Sequence, residues 1–156
     1  VNIFVTDPCP IKCAKYLDDS RIGKMIVESV QLISTAYDGP YRKTHCNHPC
    51  TLWLGKSYRN LNWLLRHLEA LNFEYMKRFN HFVAHKSFRK LKEYWDSDIL
   101  KMILDLPLPH EFVNCAANKS LGISYKDWED IHLAYQMYLN DRWESDKREP
   151  TWGGCK

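Results

Sequence analysis

Apolar residues recur at intervals of three and four over most of the chain, and the places where that rhythm fails mark the ends of helices. In "DSRIGKMIVESVQLISTA", residues 19 to 36, the side chains of Ile22, Met25, Ile26, Val30, Leu32, Ile33 and Ala36 gather on one broad face at 100° per residue. Asp18, Asp19 or Ser20 can cap the first free amides of this helix, which is predicted to run to about Tyr37. Upstream, "NIFVT" at residues 2 to 6 alternates weakly and is rich in β-formers, while the two prolines of "DPCPIK" force a turn or a first helical turn. A short extended N-terminus is therefore expected to lead into a helix from about Pro10 to Leu17.

"DGPYRKTHCNHP" interrupts the pattern with glycine and proline and reads as a loop. From Thr51 to about Phe79, Leu54, Leu61, Leu64, Leu65, Leu68 and Leu71 keep helical spacing, which predicts one long helix or a broken pair with Gly55 at a ragged start. The polar "NHFVAHKS" separates it from a helix over roughly residues 86 to 104, where Phe88, Leu91, Tyr94, Trp95, Ile99 and Met102 recur, and "LPLPHEF" ends that helix. A last helix is expected from about Tyr125 to Trp143, followed by an irregular tail. The prediction is a mainly α protein, a single compact multi-helix domain over residues 1 to 156, with no internal repeat and little strand signal.

Composition supports one well-packed unit. A chain of 156 residues with 45% hydrophobic and 13% aromatic content buries a core without crosslinks. No run reaches the ~18 apolar residues of a membrane span, and the N-terminus lacks the features of a signal peptide. The expectation is a soluble cytoplasmic protein. Six cysteines then read as reduced thiols, and no cofactor or metal is expected. A zinc site built on Cys9, Cys13, His45, Cys46, His48 and Cys50 is the alternative, although C-x3-C is not the usual knuckle spacing.

Charge changes the picture locally. The net charge is only +3, so an anionic partner depends on where the cations lie. On the 19 to 36 helix, Arg21, Lys24, Glu28, Gln31 and Thr35 project together opposite the core face, with Glu28 at the margin near Leu32. There, desolvation disfavours the carboxylate's charge while the two cations favour it, the competition from which acid/base groups are made. The same spacing also describes a surface helix laced with i,i+4 ion pairs. A second basic stretch, "KRFNHFVAHKSFRKLK", interleaves Lys77, Arg78, Lys86, Arg89, Lys90 and Lys92 with Phe79, Phe82 and Phe88. Cations that track phosphates and rings that stack on bases would make it a nucleic-acid footprint; rings in the core and charges in water is the other reading.

"LDDSRIGKMIVESVQLISTA", followed by "NHP" at 47 to 49 and Trp53, resembles the pyrimidine-dimer DNA glycosylase, or endonuclease V-like, family of small phage and bacterial proteins. The "NIF" start and the "REPTW" of residues 148 to 152 add to the likeness, although "GGCK" replaces the aromatic tail expected there. The resemblance implies an all-α DNA repair enzyme that removes a damaged or modified pyrimidine, extruded from double-stranded DNA, and then cuts the strand at the abasic sugar. Carried over residue by residue, Glu28 matches the helix carboxylate that stabilises the sugar intermediate, and Val1 would offer the α-amine nucleophile. Lys24 is the fallback nucleophile. Arg21, Asn47, His48, Lys86, Arg89, Lys90 and Trp152 are the candidate DNA contacts. His81, His85 and His110 read as structural or surface groups, and most of Trp53, Trp63, Trp95, Trp128 and Trp143 as core. A non-catalytic nucleic-acid or host-protein binding module, with Glu28 merely paired to Lys24, is the competing function.

Overall fold

A computed structural model describes residues 2–105 and 107–153, and these described residues form seven α-helices and one two-stranded antiparallel sheet. The helices are α1 (Pro10–Tyr16), α2 (Asp19–Ala36), α3 (Pro49–Gly55), α4 (Tyr58–Arg78), α5 (Lys86–Tyr94), α6 (Ile99–Met102) and α7 (Ile131–Ser145). Strands β1 (Ala117–Asn118) and β2 (Ile123–Ser124) flank a single 3-10 turn. The mainly α expectation holds, and none of the described helices is long and apolar enough to cross a membrane.

Helix α4 is the central post. Leu64, Leu65, Leu68 and Leu71 are buried against α1 and α2, where Leu17, Ile22, Ile26 and Ile33 are equally shielded. Its polar side chains hold the neighbouring loops: Trp63 Nε1 donates to Pro8 O at 2.9 Å, and Asn62 Oδ1 accepts the Leu104 amide at 2.7 Å. His67 is fully buried and donates from Nδ1 to Pro10 O at 3.0 Å, which fixes the proline turn expected from "DPCPIK". The predicted boundaries of α1 and α2 agree to within a residue.

Three other boundaries move, each for a local reason. The 51 to 79 stretch is a broken pair, and Gly55 ends the first member rather than starting the run. Ser57 caps α4 by accepting the Asn60 amide, while the Tyr37 hydroxyl bridges Leu54 O at 2.8 Å and Ser57 O at 3.1 Å across the break. The 86 to 104 stretch divides at Asp96, a left-handed residue with φ 47°, before Asp98 caps α6. Helix α7 starts at Ile131, not near Tyr125, because the Tyr125 amide bonds Ala116 O at 2.8 Å beside the hairpin and Asp130 supplies the cap through the Leu133 amide.

The N-terminal segment is extended but joins no sheet. Ile3, Phe4, Val5 and Thr6 are all buried, without the alternation of an edge strand, and Phe4 has φ 57°. A phenylalanine held in the left-handed region stores about 1 kcal/mol of strain, which the surrounding packing must outweigh. Tyr138 stacks on Phe4 at 5.8 Å, and α7 takes up the freed carbonyls: His132 Nδ1 donates to Val5 O and Gln136 Nε2 to Thr6 O, both at 2.9 Å.

Burial holds the His67 imidazole pKa down to about 4, well below its ordinary 6.5, with the Pro10 carbonyl only partly opposing. The neutral ring belongs to the folded state, so its contribution is complete above pH 6.5 and is lost as pH falls from there towards 4. The loss reaches on the order of 3 kcal/mol by 1.36 kcal/mol per unit. Urea midpoints measured across this range should show that slope in the native chain and a much shallower one in His67→Gln.

Candidate active site

Glu28 stands midway along α2 with its side chain only 20% exposed. Its Oε2 accepts the backbone amide of Asn2 at 3.2 Å, and its Oε1 lies 3.9 Å from Lys24 Nζ one turn earlier. Asn2 is held from its other end as well, since Nδ2 donates to Cys115 O at 3.2 Å and Oδ1 accepts the Ile3 amide at 2.8 Å. The start of the chain is thereby fastened onto the carboxylate of α2.

Beside this contact opens a cavity of about 530 Å³. Asn2 and Phe4 form one side, Lys24 and Glu28 the α2 side, and Tyr138 and Arg142 the α7 side. Lys147 and Arg148, just past α7, complete a cationic rim around the one carboxylate of α2 that faces the cavity. A pocket of this size with a cationic mouth suits an anionic ligand, and the carboxylate within it can stabilise positive charge that develops nearby.

The aspartates that precede Glu28 build the frame. Asp18 is buried and caps nothing; its Oδ1 accepts from Arg21 Nη1 at 3.1 Å and from Trp143 Nε1 at 2.8 Å. Arg21 Nη1 also reaches Asp146 Oδ2 at 2.9 Å. Asp19 accepts from Arg78 Nη1 at 3.1 Å, from the Thr151 hydroxyl at 2.7 Å and from the Gly153 amide at 2.8 Å. Gly153 has φ +73°, and a Cβ there would meet Arg78 Cγ at 2.9 Å, so the tail can dock this closely only with glycine.

The helical projection is therefore corrected at two positions. Arg21, expected on a solvent face, is buried between Asp18 and Asp146 because the end of α7 covers it; it lines the cavity as a braced wall. Thr35, expected beside it, is buried under the 42 to 44 loop, exchanging hydrogen bonds with the backbone of Thr44. Lys24 remains exposed and Glu28 half-buried, as their places at the margin require. Val1 lies outside the described residues.

The remaining candidates do not line this cavity. Asn47 is exposed in the turn before α3, and His48 caps that helix, its Nδ1 accepting the Cys50 amide at 3.1 Å. Burial lowers the His48 pKa, with His45 adding to the effect and the charge of Glu28 pulling the other way. Lys86, Arg89 and Lys90 are exposed on α5, whose start abuts α2 where His85 Nε2 lies 3.9 Å from a Cβ built on Gly23, next to Lys24. Of the interleaved rings, Phe88 is core and Phe82 is 96% exposed, while Arg78 is buried in the tail clamp. Trp152 is elsewhere: its Nε1 donates to Tyr16 O at 2.8 Å and its ring packs edge-on against Trp143 at 5.1 Å, so it anchors the tail outside the cavity. His81 stacks on Tyr75 and His110 bonds Arg59, in keeping with structural or surface roles. Trp53 and Trp63 are core, whereas Trp128 is exposed.

Sequence reading missed Asn2, Arg142, Lys147 and Arg148. The last three carry a signal, the basic residues of "DRWESDKREP", which periodicity assigned to a helix end and a tail. Asn2 carries none, because a single asparagine has no spacing to read.

Comparison with known proteins agrees with this geometry. Residues 1–94 match the family model described as pyrimidine dimer DNA glycosylase, a span that includes Asn2, Lys24, Glu28 and the basic face of α5. A function of DNA glycosylase type, with DNA as substrate, follows for the chain. No curated protein and no solved structure matches it significantly.

Burial alone would raise the Asp19 pKa, yet the bonds from Thr151, Gly153 and Arg78 hold it below its ordinary 3.8. Its contribution to tail docking is complete above that value and lost as pH falls below it. Tryptophan fluorescence from the Trp143–Trp152 pair should report tail release in acid. In Asp19→Asn the tail should already be loosened at neutral pH, without a further acid step.

Proposed function

The chain belongs to the pyrimidine dimer DNA glycosylase family, and we propose that it excises a damaged or modified pyrimidine and then cleaves the strand at the abasic sugar. In this reading the α-amine of Val1 attacks C1′, and the glycosidic electron pair departs with the base. The N-glycosyl amine opens its C1′–O4′ bond, O4′ taking a proton, to give an iminium that loses a C2′ proton and expels the 3′ phosphate by β-elimination. Glu28 is the carboxylate that stabilises the cationic sugar and assists the elimination.

The observation that carries the proposal is the hydrogen bond from the Asn2 amide to Glu28 Oε2 at 3.2 Å. That nitrogen is the peptide nitrogen joining Val1 to Asn2, so only two carbon atoms separate it from the α-amine of Val1. The proposal requires that amine to be free in the mature chain. An α-amine has a pKa of about 7.7–8.0, so a useful fraction is unprotonated at neutral pH without the burial a lysine needs. Lys24, 3.9 Å from the same carboxylate, is assigned to a phosphate or sugar oxygen. Arg142, Lys147 and Arg148 would hold the flanking phosphates on the opposite rim, and Asn47 and His48 would approach the strand from the 45 to 49 turn.

Borohydride reduction in the presence of lesion-containing or abasic duplex should trap one covalent protein–DNA adduct, and peptide mass analysis should place it on Val1. An adduct on Lys24 would reassign the nucleophile, and no adduct with either substrate would remove the lyase step. Glu28→Gln should lower turnover by about 10²-fold or more while leaving DNA binding largely intact. Unchanged turnover would remove Glu28 from the chemistry and leave it a partner of Lys24 and the Asn2 amide, whereas absence of turnover in the native chain would favour a binding module.

The basic face of α5 is proposed as the flanking duplex contact. Alanine at Lys86, Arg89 and Lys90 together should weaken binding alike on every sequence and reduce the slope of log K against log salt by about one for each phosphate no longer neutralised. A slope equal to that of the native chain would remove α5 from the interface.

A further inference from the structure

The cysteines and histidines do not assemble in the arrangement that their sequence spacing suggested. Cys13 is buried on its own, with Sγ on Asp7 O at 3.0 Å, and Cys46 is exposed. Instead, Cys115 arrives from the far half of the chain to meet His48 and Cys50 at the N-terminus of α3. One ligand atom from each of the three lies within 4.8 Å of the others. Among the described residues this is the group of three that can surround a cation.

We propose that His48, Cys50 and Cys115 form a binding site for a soft divalent cation of the zinc class. The two sulfurs are 4.0 Å apart, close to the edge of about 3.8 Å that two thiolates span across a tetrahedral zinc with Zn–S bonds of about 2.3 Å. The imidazole offers one of its ring nitrogens within 4.8 Å of both sulfurs, near enough to complete a third ligand with a small ring movement. Asn2 Oδ1, 4.0 Å from Cys50 Sγ, or a water would supply the fourth ligand.

The surroundings hold these ligands as a metal site requires. The Cys115 backbone is fixed on two sides: its amide donates to the Tyr135 hydroxyl at 3.0 Å, and its carbonyl accepts from Asn2 Nδ2 at 3.2 Å. Tyr135 itself is fully buried. Support from outside the ligand shell of this kind is what orients a site and keeps it selective. A bound cation would clamp α3 to the 113 to 116 segment directly behind Asn2, the residue that touches Glu28. The site itself stands on the ligand geometry and does not need the glycosylase reading; with His48 on the metal, Asn47 is the side chain of that turn left to approach the strand.

The test uses the full chain, stripped of metal by chelator under reducing conditions and titrated with zinc chloride, then separately with cobalt(II). One equivalent of zinc should bind, and cobalt should give the intense d–d bands and sulfur-to-metal charge transfer of a tetrahedral site with two thiolates. That spectrum needs no substitution and so is independent of any folding defect. Cys115→Ser, verified as folded by circular dichroism, should weaken zinc binding by about 10- to 100-fold or more. Cys46→Ser, exposed and four residues from Cys50, should leave it unchanged. Absence of stoichiometric uptake, uptake retained by Cys115→Ser, or a cobalt spectrum without thiolate bands would overturn the proposal. None of these outcomes bears on adduct formation with DNA, so the two readings fail separately.

Discussion

Two consecutive carboxylates at the head of α2, Asp18 and Asp19, join parts of the chain more than a hundred residues apart. Asp18 takes Arg21 from its own helix and Trp143 from α7; Asp19 takes Arg78 from the end of α4 and the backbone of the tail. Buried ion pairs alone are weak sources of stability, since desolvation offsets their attraction. What these provide is registration. Each carboxylate has several donors at once, so α2, α4, α7 and the tail share one geometry, and breaking any partner leaves a buried charge exposed to the rest.

The cavity depends on that registration. Its α2 side carries Glu28 and Lys24, and its α7 side carries Tyr138 and Arg142, so their separation is set by the Asp18–Trp143 and Arg21–Asp146 contacts. Between the two sides runs the N-terminal segment, which reaches the carboxylate only because Phe4 adopts a left-handed backbone and α7 absorbs the carbonyls that a sheet would have taken. The cationic residues fall into two groups with different work: Arg21 and Arg78 are saturated by carboxylates and carbonyls, whereas Lys24, Lys86, Arg89 and Lys90 keep charge at the surface. A net charge of +3 conceals this division.

Much of the architecture was legible in the sequence because helical periodicity reports burial directly: the core face of α2 and the leucines of α4 lie where spacing places them. Breaks were harder where a tertiary contact decides them, as the Tyr37 hydroxyl does between α3 and α4. Glu28 was legible only by resemblance, since its spacing to Lys24 also describes an ordinary surface pair. Arg21 was misplaced because a helical projection cannot know that a distant helix end will cover a polar face. Cys115 was invisible as a neighbour of Cys50 for the same reason, as 65 residues separate them in the chain.

The order in which the parts of the cavity are made has a consequence during synthesis. The carboxylate and its first cation lie among the first thirty residues, but the opposite wall comes from residues 138 to 148 and the clasp that seats it from residues 151 to 153. Domains begin to fold as they leave the ribosome, and a helical core around α4 can form before that wall emerges. A nascent chain thus holds Lys24 and Glu28 in an open trough, and the pocket closes only after the last turn of α7 has been released to find Asp18.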